Sequence, residues 1–292
     1  MSHVRLGLIQ VQLGAPSSIA SKQSQLEELA IRCLDDGADL VFFPEAFQYV
    51  HDRGIIDRPE EHLETARAWR ERMAALCRRY HAYIVPWDYE RDADGRVYNT
   101  SYILDREGHE VGRYRKVHLT NGELSRNLTN GTDFPVFRLD FGTIGIMICF
   151  DNYWPESARC LALNGAQLIL YPLYGDTLVP NWEIKARCRA IDNCVHLAPC
   201  QLDSRYHIAW TGLISPTGDI LAKLDDAPTH RVVDVNLGRP VITSTMANPN
   251  RRENLAEYLR KCRQPNAYGA ITRPVENALP WQDIFFGHEH NY

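Results

Sequence analysis

The chain has 292 residues, with 32 Lys and Arg against 37 Asp and Glu, a formal net charge of −5 and 45% hydrophobic residues. That supplies a substantial core, and the basic residues are scattered rather than clustered, which argues against nucleic acid or an anionic membrane as partner. No apolar run approaches the roughly 18 residues of a membrane span, and the opening MSHVRLGLIQVQLG lacks the order of regions found in a signal peptide, so a cytoplasmic protein acting on a small molecule is expected.

The pattern alternates from the start: a strand at about 3–13, an amphipathic helix at about 17–36, and an apolar strand at 39–43 that runs into Pro44 and Glu45. A second helix is expected at about 59–80, followed by two strands, AYIVPWDYE and RVYNTSYILD, joined by a turn from Asp92 to Gly95. Adjacent strands after two βα units imply a mixed sheet. From Lys116 to Asn130 periodicity fades into a polar loop, and a loop of that length inside a compact domain is often functional.

Strands return in PVFRLDF and TIGIMIC, followed by a helix from Pro155 to Asn164 that Gly165 stops, since Pro is favourable in a first helical turn. AQLILYPL reads as a buried strand and NWEIKARCRAIDNC as a helix. VHLAPCQ, IAWTGLISP, DILAKL and RVVDVNL complete the core as short strands. The reading is one α/β domain over 1–240, with 241–292 added to it as a charged helix at about 250–262 and a tail carrying Trp281, Phe285, Phe286 and Tyr292. So much apolar surface is unfavourable in water, so the tail packs either on its own subunit or on a neighbour.

Eight cysteines (33, 77, 149, 160, 188, 194, 200 and 262) form no CxxC pair and are expected to be thiols. His288 and His290 make an HxH with no third ligand beside it, so no metal is expected. Three polar residues stand where apolar strands end or loops begin: Glu45 after LVFFP, Lys116 in YRKVHL and Cys149 after TIGIMI. In an α/β sheet such ends converge on the ligand crevice. A free thiol is only slightly ionised near neutral pH, so a carboxylate base to take its proton and an ammonium to steady an oxyanion complete an activation scheme.

The segments FFPEAF, YRKVHL and ICFDNYWPESARCLALNGAQLILYP, with GELSRNLTNGTDFPVF, WEIKARCRAIDN and GLISPTGDILA, resemble the nitrilase superfamily of carbon-nitrogen hydrolases over roughly residues 4–237. The resemblance implies a four-layer α-β-β-α sandwich with two mixed sheets, a homodimer or higher homo-oligomer, and a small-molecule substrate. It implies no cofactor, since the thiol supplies the covalent step. It assigns Glu45 as general base and then general acid, Cys149 as nucleophile, and Lys116 with the backbone N–H of Phe150 as oxyanion site. A second glutamate, Glu123, matches the family's orienting residue. Substituting Glu45, Lys116 or Cys149 is expected to abolish turnover and leave the fold intact.

Phe150 and Asp151 after the nucleophile resemble the amidase and carbamoylase branches rather than true nitrilases, which favours an amide or ureido bond over a nitrile. The arginines that hold a substrate carboxylate in carbamoyl-amino-acid hydrolases are replaced by Asn152 and Tyr153, which points to a neutral or cationic substrate. Tyr49, Phe150, Asn152, Tyr153 and Tyr174 are the expected substrate-binding residues. The rival readings are a Cys-His hydrolase using His118 or His196 and a binding protein that kept the fold without turnover.

Overall fold

A computed structural model describes residues 2–11, 18–49, 62–175, 181–202, 209–225, 227–245 and 248–273. The chain divides into two units, 1–242 and 243–292. In the first, β1 (His3–Gln10) leads into α1 (Ile19–Asp35), whose N-terminus is capped by the Ser18 hydroxyl accepting from the Ser21 N–H at 3.1 Å. β2 (Leu40–Phe42), α2 (Leu63–Tyr80), β3 (Tyr83–Val85), β4 (Trp87–Arg91), β5 (Val97–Leu104) and β6 (Glu110–Arg115) follow.

Two of these differ from expectation. AYIVPWDYE is two strands parted at Pro86, which has no N–H to give a ladder. β6 had no sequence signal because, of EVGRYR, only Tyr114 is buried, so no apolar alternation marks the strand. The stretch expected to be a polar loop holds the short helix α3 (Asn121–Ser125), fixed by a capping box between Thr120 and Glu123.

The other half comprises β7 (Val136–Leu139), β8 (Gly142–Ile146), α4 (Pro155–Leu163), β9 (Leu168–Leu173), α5 (Trp182–Ile191), β10 (His196–Gln201), β11 (Thr211–Ile214), β12 (Ile220–Leu224) and β13 (Thr229–Asn236). One sheet has the order β13-β1-β2-β3-β5-β4, with β6 also on β5; the other has the order β12-β11-β10-β9-β8-β7. Both are mixed: β1-β2-β3 and β8-β9-β10 run parallel, and the flanking pairs run antiparallel.

Strand parity builds the layers. Val4, Leu6, Leu8, Leu40, Phe42, Ile144, Ile146, Leu168 and Leu170 share one core between the sheets. The alternate residues Ile9, Val41 and Phe43 pack with Leu26, Leu29, Trp69 and Met73 of α1 and α2. Ile169, Tyr171 and Leu197 pack with Ala158, Leu161, Trp182 and Ala186 of α4 and α5. The central strands are therefore buried on both faces, as parallel strands require, and the layers are helix, sheet, sheet, helix.

From the unit boundary onward the structure describes two paired strands, β14 (Ile242–Thr245) and β15 (Asn248–Asn254), then α6 (Leu255–Cys262) and α7 (Gly269–Thr272). The helix expected from about 250 begins later, where the Asn254 side chain accepts from the Ala256 N–H and caps it. His288, His290, Trp281, Phe285, Phe286 and Tyr292 lie outside the described residues, as does the side chain of Tyr49.

Candidate active site

Four loops at the ends of strands supply the site. Glu45 follows β2, Lys116 follows β6, Cys149 lies three residues beyond β8, and Tyr174 follows β9. Two of these loops carry non-glycine residues in the left-handed backbone region, Ala46 at φ 58° and Cys149 at φ 44°. Such conformations persist only where surrounding structure holds them. At Cys149 the holding groups are visible: the Tyr171 hydroxyl donates to the Cys149 carbonyl at 3.1 Å. The buried Asp151 carboxylate accepts from the Ile148 N–H at 2.8 Å and the Tyr114 hydroxyl at 2.7 Å.

Lys116 is 1% exposed and lies between two carboxylates. Its Nζ is 2.8 Å from Glu45 Oε1, and 3.0 and 2.8 Å from the two oxygens of Glu123. Burial works against the ammonium, but Glu45 and Glu123 outweigh it and hold its pKa well above the ordinary lysine value. Glu123 is lowered for the reciprocal reason: desolvation opposes its charge, and Lys116, the Thr120 backbone and Asn99 stabilise it more strongly. The amide of Asn99 donates to Glu45 at 2.8 Å and to Glu123 at 2.6 Å. Asn99 is itself oriented by Trp87 Nε1, which donates to its carbonyl oxygen at 2.6 Å. The second oxygen of Glu45 accepts from the Tyr174 N–H at 3.0 Å.

The Cys149 thiol is raised well above the ordinary value, first by burial and then by the negative charge of Glu45 beside it; Lys116 pulls the other way. It is therefore a neutral thiol at rest beside a carboxylate, an arrangement in which the proton leaves as the sulfur attacks rather than beforehand. Burial also raises Cys33 and Cys77 to about 12 and Cys200 beyond that, but no carboxylate is hydrogen-bonded to any of those thiols.

These groups surround a cavity of about 360 Å³ lined by Glu45, Ala46, Tyr89, Asn99, Lys116, Thr120, Glu123, Arg126, Cys149, Tyr174 and Gly175. The four residues expected to be catalytic, and Tyr174 among those expected to bind substrate, thus meet at one place. Phe150, Asn152 and Tyr153 are not among the described residues that line it. The turn after Cys149 carries Asn152 inward, fully buried, with its carbonyl accepting from Arg189 at 2.9 Å. The Tyr153 ring is covered by the Lys185 ammonium at 3.6 Å.

His118 is held elsewhere: its backbone N–H and Nδ1 are 2.9 and 2.8 Å from Asp151 Oδ1, and its ring stacks on Trp154 at 4.2 Å. His196 is buried in β10, where burial lowers its pKa, and it lines a different cavity. Neither histidine lines the cavity that holds Cys149.

Sequence reasoning missed Asn99, Thr120 and Arg126. Asn99 has a signal in retrospect, an amide inside an otherwise strand-forming run, where asparagine is disfavoured. Thr120 and Glu123 carry the spacing of a capping box. Among the described residues no group of three or more His, Cys, Asp or Glu is arranged to hold a metal ion, and no helix is long and apolar enough to cross a membrane.

A family model described as carbon-nitrogen hydrolase matches residues 5–245. The omega-amidase NIT2 of Homo sapiens is 28% identical, over 81% of this chain and 90% of that protein. A protein of Schizosaccharomyces pombe named as a hydrolase is 26% identical, over 84% of this chain and 79% of its own length. The crystal structure of a carbon-nitrogen hydrolase from Helicobacter pylori superposes with a TM-score of 0.74 at 20% identity, over 94% of this chain and 99% of the other, a likeness of fold.

Proposed function

The chain belongs to the carbon-nitrogen hydrolase family, and on that footing we propose that it is a thiol hydrolase that cleaves the C–N bond of a small amide or ureido compound through a Cys149 acyl-enzyme. The observation that carries this reading is that Cys149, Glu45 and Lys116 line one cavity, with the Lys116 ammonium 2.8 Å from Glu45 Oε1. Glu45 takes the thiol proton as sulfur bonds to the carbonyl carbon and the C=O electron pair moves to oxygen. Lys116 and the Phe150 N–H stabilise that oxyanion. As the oxyanion collapses, the C–N bond breaks and Glu45 returns the proton to the departing nitrogen, which leaves as ammonia or an amine.

Water then attacks the thioester with Glu45 again as base, the C–S bond breaks, and the thiolate is reprotonated as the acid product leaves. Glu123 and Asn99 act by position, since the Asn99 amide donates to Glu45 and to Glu123, and Glu123 accepts from Lys116 and keeps it charged. The amide preference rests on Phe150 and Asp151 after the nucleophile and agrees with the omega-amidase relative. The test is product release across aliphatic amides, ureido compounds, N-carbamoyl amino acids and nitriles. Amide or ureido turnover that disappears in Cys149→Ala supports the reading, and turnover of nitriles alone overturns it.

A further inference from the structure

We propose that Trp87 is a positioning residue for catalysis: its indole N–H holds the Asn99 amide as a donor to Glu45 in both protonation states of that carboxyl, so that the proton taken from Cys149 stays available to the departing nitrogen. This rests on the hydrolase reading above and deepens it. The strand register brings the two side chains together. β4 pairs antiparallel with β5, with Tyr89 opposite Asn99 and Trp87 opposite Ser101. Trp87 and Asn99 are thus diagonal neighbours on one face, a separation that a side chain as long as tryptophan spans. They are 1% and 2% exposed, so the contact is made away from bulk solvent.

Both protons of the Asn99 amide are used. The nitrogen donates to Glu45 Oε1 at 2.8 Å and to Glu123 Oε1 at 2.6 Å, and the oxygen accepts from Trp87 Nε1 at 2.6 Å. A carboxylate only accepts and an indole nitrogen only donates, so one orientation of the amide satisfies all three contacts. The Asn99 backbone carbonyl also accepts from the Lys116 N–H at 2.9 Å, which ties the same residue to the segment that carries the ammonium.

While Glu45 is ionised, the two carboxylates by themselves keep the amide nitrogen facing them. The indole matters once Glu45 has taken the Cys149 proton. The protonated carboxyl is then a donor as well, and an amide turned by 180° can accept its proton through the carbonyl oxygen. That bond would hold the proton on Glu45 and away from the leaving nitrogen. Trp87 opposes the turn, because it would set the amide N–H groups against the indole N–H, donor against donor, where no water relieves the mismatch. With the amide held as it is, Asn99 joins Lys116 Nζ and the Tyr174 N–H as donors to Glu45, and none of the three competes with the leaving nitrogen for the proton.

The experiment replaces Trp87 by 3-benzothienylalanine, which keeps the shape of tryptophan with sulfur in place of the N–H, and measures kcat/KM for an amide and for the 4-nitrophenyl ester of the same acid. Nitrophenolate leaves without a proton, whereas the amide nitrogen must receive one. The amide value should fall by roughly 10-fold, the scale of one hydrogen bond, and the ester value should hold. The same replacement at Trp69, whose buried Nε1 has no acceptor among the described residues, should alter neither. In Asn99→Ala, replacing Trp87 should change the ester-to-amide ratio no further, since the two residues act as a unit. Equal losses on amide and ester, an unchanged amide value, or a further change of the ratio in Asn99→Ala would each overturn the role of Trp87 while the hydrolase reading stands. If neither substrate acylates Cys149 in the unaltered protein, the hydrolase reading fails and the role of Trp87 with it.

Discussion

Lys116 is the residue on which the site's charges depend, because two buried carboxylates face it and one buried amide, Asn99, bridges them. Removing one partner of a buried ion pair leaves uncompensated charge and costs about 3–5 kcal/mol. Lys116→Ala should therefore lower stability by about that much in urea denaturation, besides losing about 100- to 1,000-fold in rate as an oxyanion donor. This adds a stability cost to the expectation that the substitution leaves the fold intact. The pH dependence follows with opposite signs at the two ends. Glu123 is depressed below its ordinary 4.5, so its contribution is present above that pH and lost as pH falls through the folded value. Lys116 is raised above its ordinary 10.5, so its contribution is complete below that pH and lost as pH rises through the folded value. Urea stability followed from pH 7 downward should fall less steeply below 4.5 in Glu123→Gln than in the unaltered chain. Glu45, Lys116 and Cys149 were legible in the sequence because each ends a strand or opens a loop in a recognisable segment, and Glu123 through the family resemblance alone. Asn99 was not, since a side chain inside a strand reveals its partners only once the strands are paired.

Among the elements, the turn from Cys149 to Tyr153 depends on Asp151, the residue that at first served only to separate an amidase-like from a nitrilase-like motif. Its buried carboxylate joins the β6 side to the nucleophile turn through Tyr114, the His118 backbone and Ile148. Asp151→Ala leaves these donors without their acceptor, at about 1–3 kcal/mol for each buried one. A large drop in melting temperature is expected, with activity lost even where folded protein remains. His118→Asn, by contrast, removes a ring stacked on Trp154 and should only weaken turnover; complete loss of turnover in a folded variant would revive the Cys-His reading. Gly131 is a second fixed point: its N–H donates to the Lys116 carbonyl at 2.8 Å, and a Cβ there would lie 2.1 Å from the Arg115 carbonyl oxygen. Gly131→Ala must therefore push back the segment that carries Lys116, and lower kcat should accompany lower stability. The long apolar and amphipathic elements were legible by period, whereas β6 and the split at Pro86 were not, because exposed strands lack an apolar face and a proline changes pairing without changing composition.

At the scale of the molecule, two mixed sheets bury alternate residues of the same strands against each other and against helices, which fixes the four layers and brings the loops after β2, β6, β8 and β9 to one cavity. The sequence told which segments were strands, but the partition into two sheets depends on which strands pair, and local period carries no record of pairing. On the outer surface Ile184 and Ile191 of α5 are 62% and 44% exposed. The family resemblance is the basis for expecting a homo-oligomer, for which such residues are candidates for burial between copies, and sedimentation at twice the mass of one 292-residue chain or more would bear that expectation out. The covalent role of Cys149 is the claim on which the functional account depends. Intact-protein and peptide mass spectrometry of enzyme quenched during turnover of a small amide tests it most directly. The account predicts an acyl adduct on the peptide containing Cys149 and none on the other seven cysteines, absent in Cys149→Ala together with ammonia release. Ammonia release that persists in Cys149→Ala would contradict it.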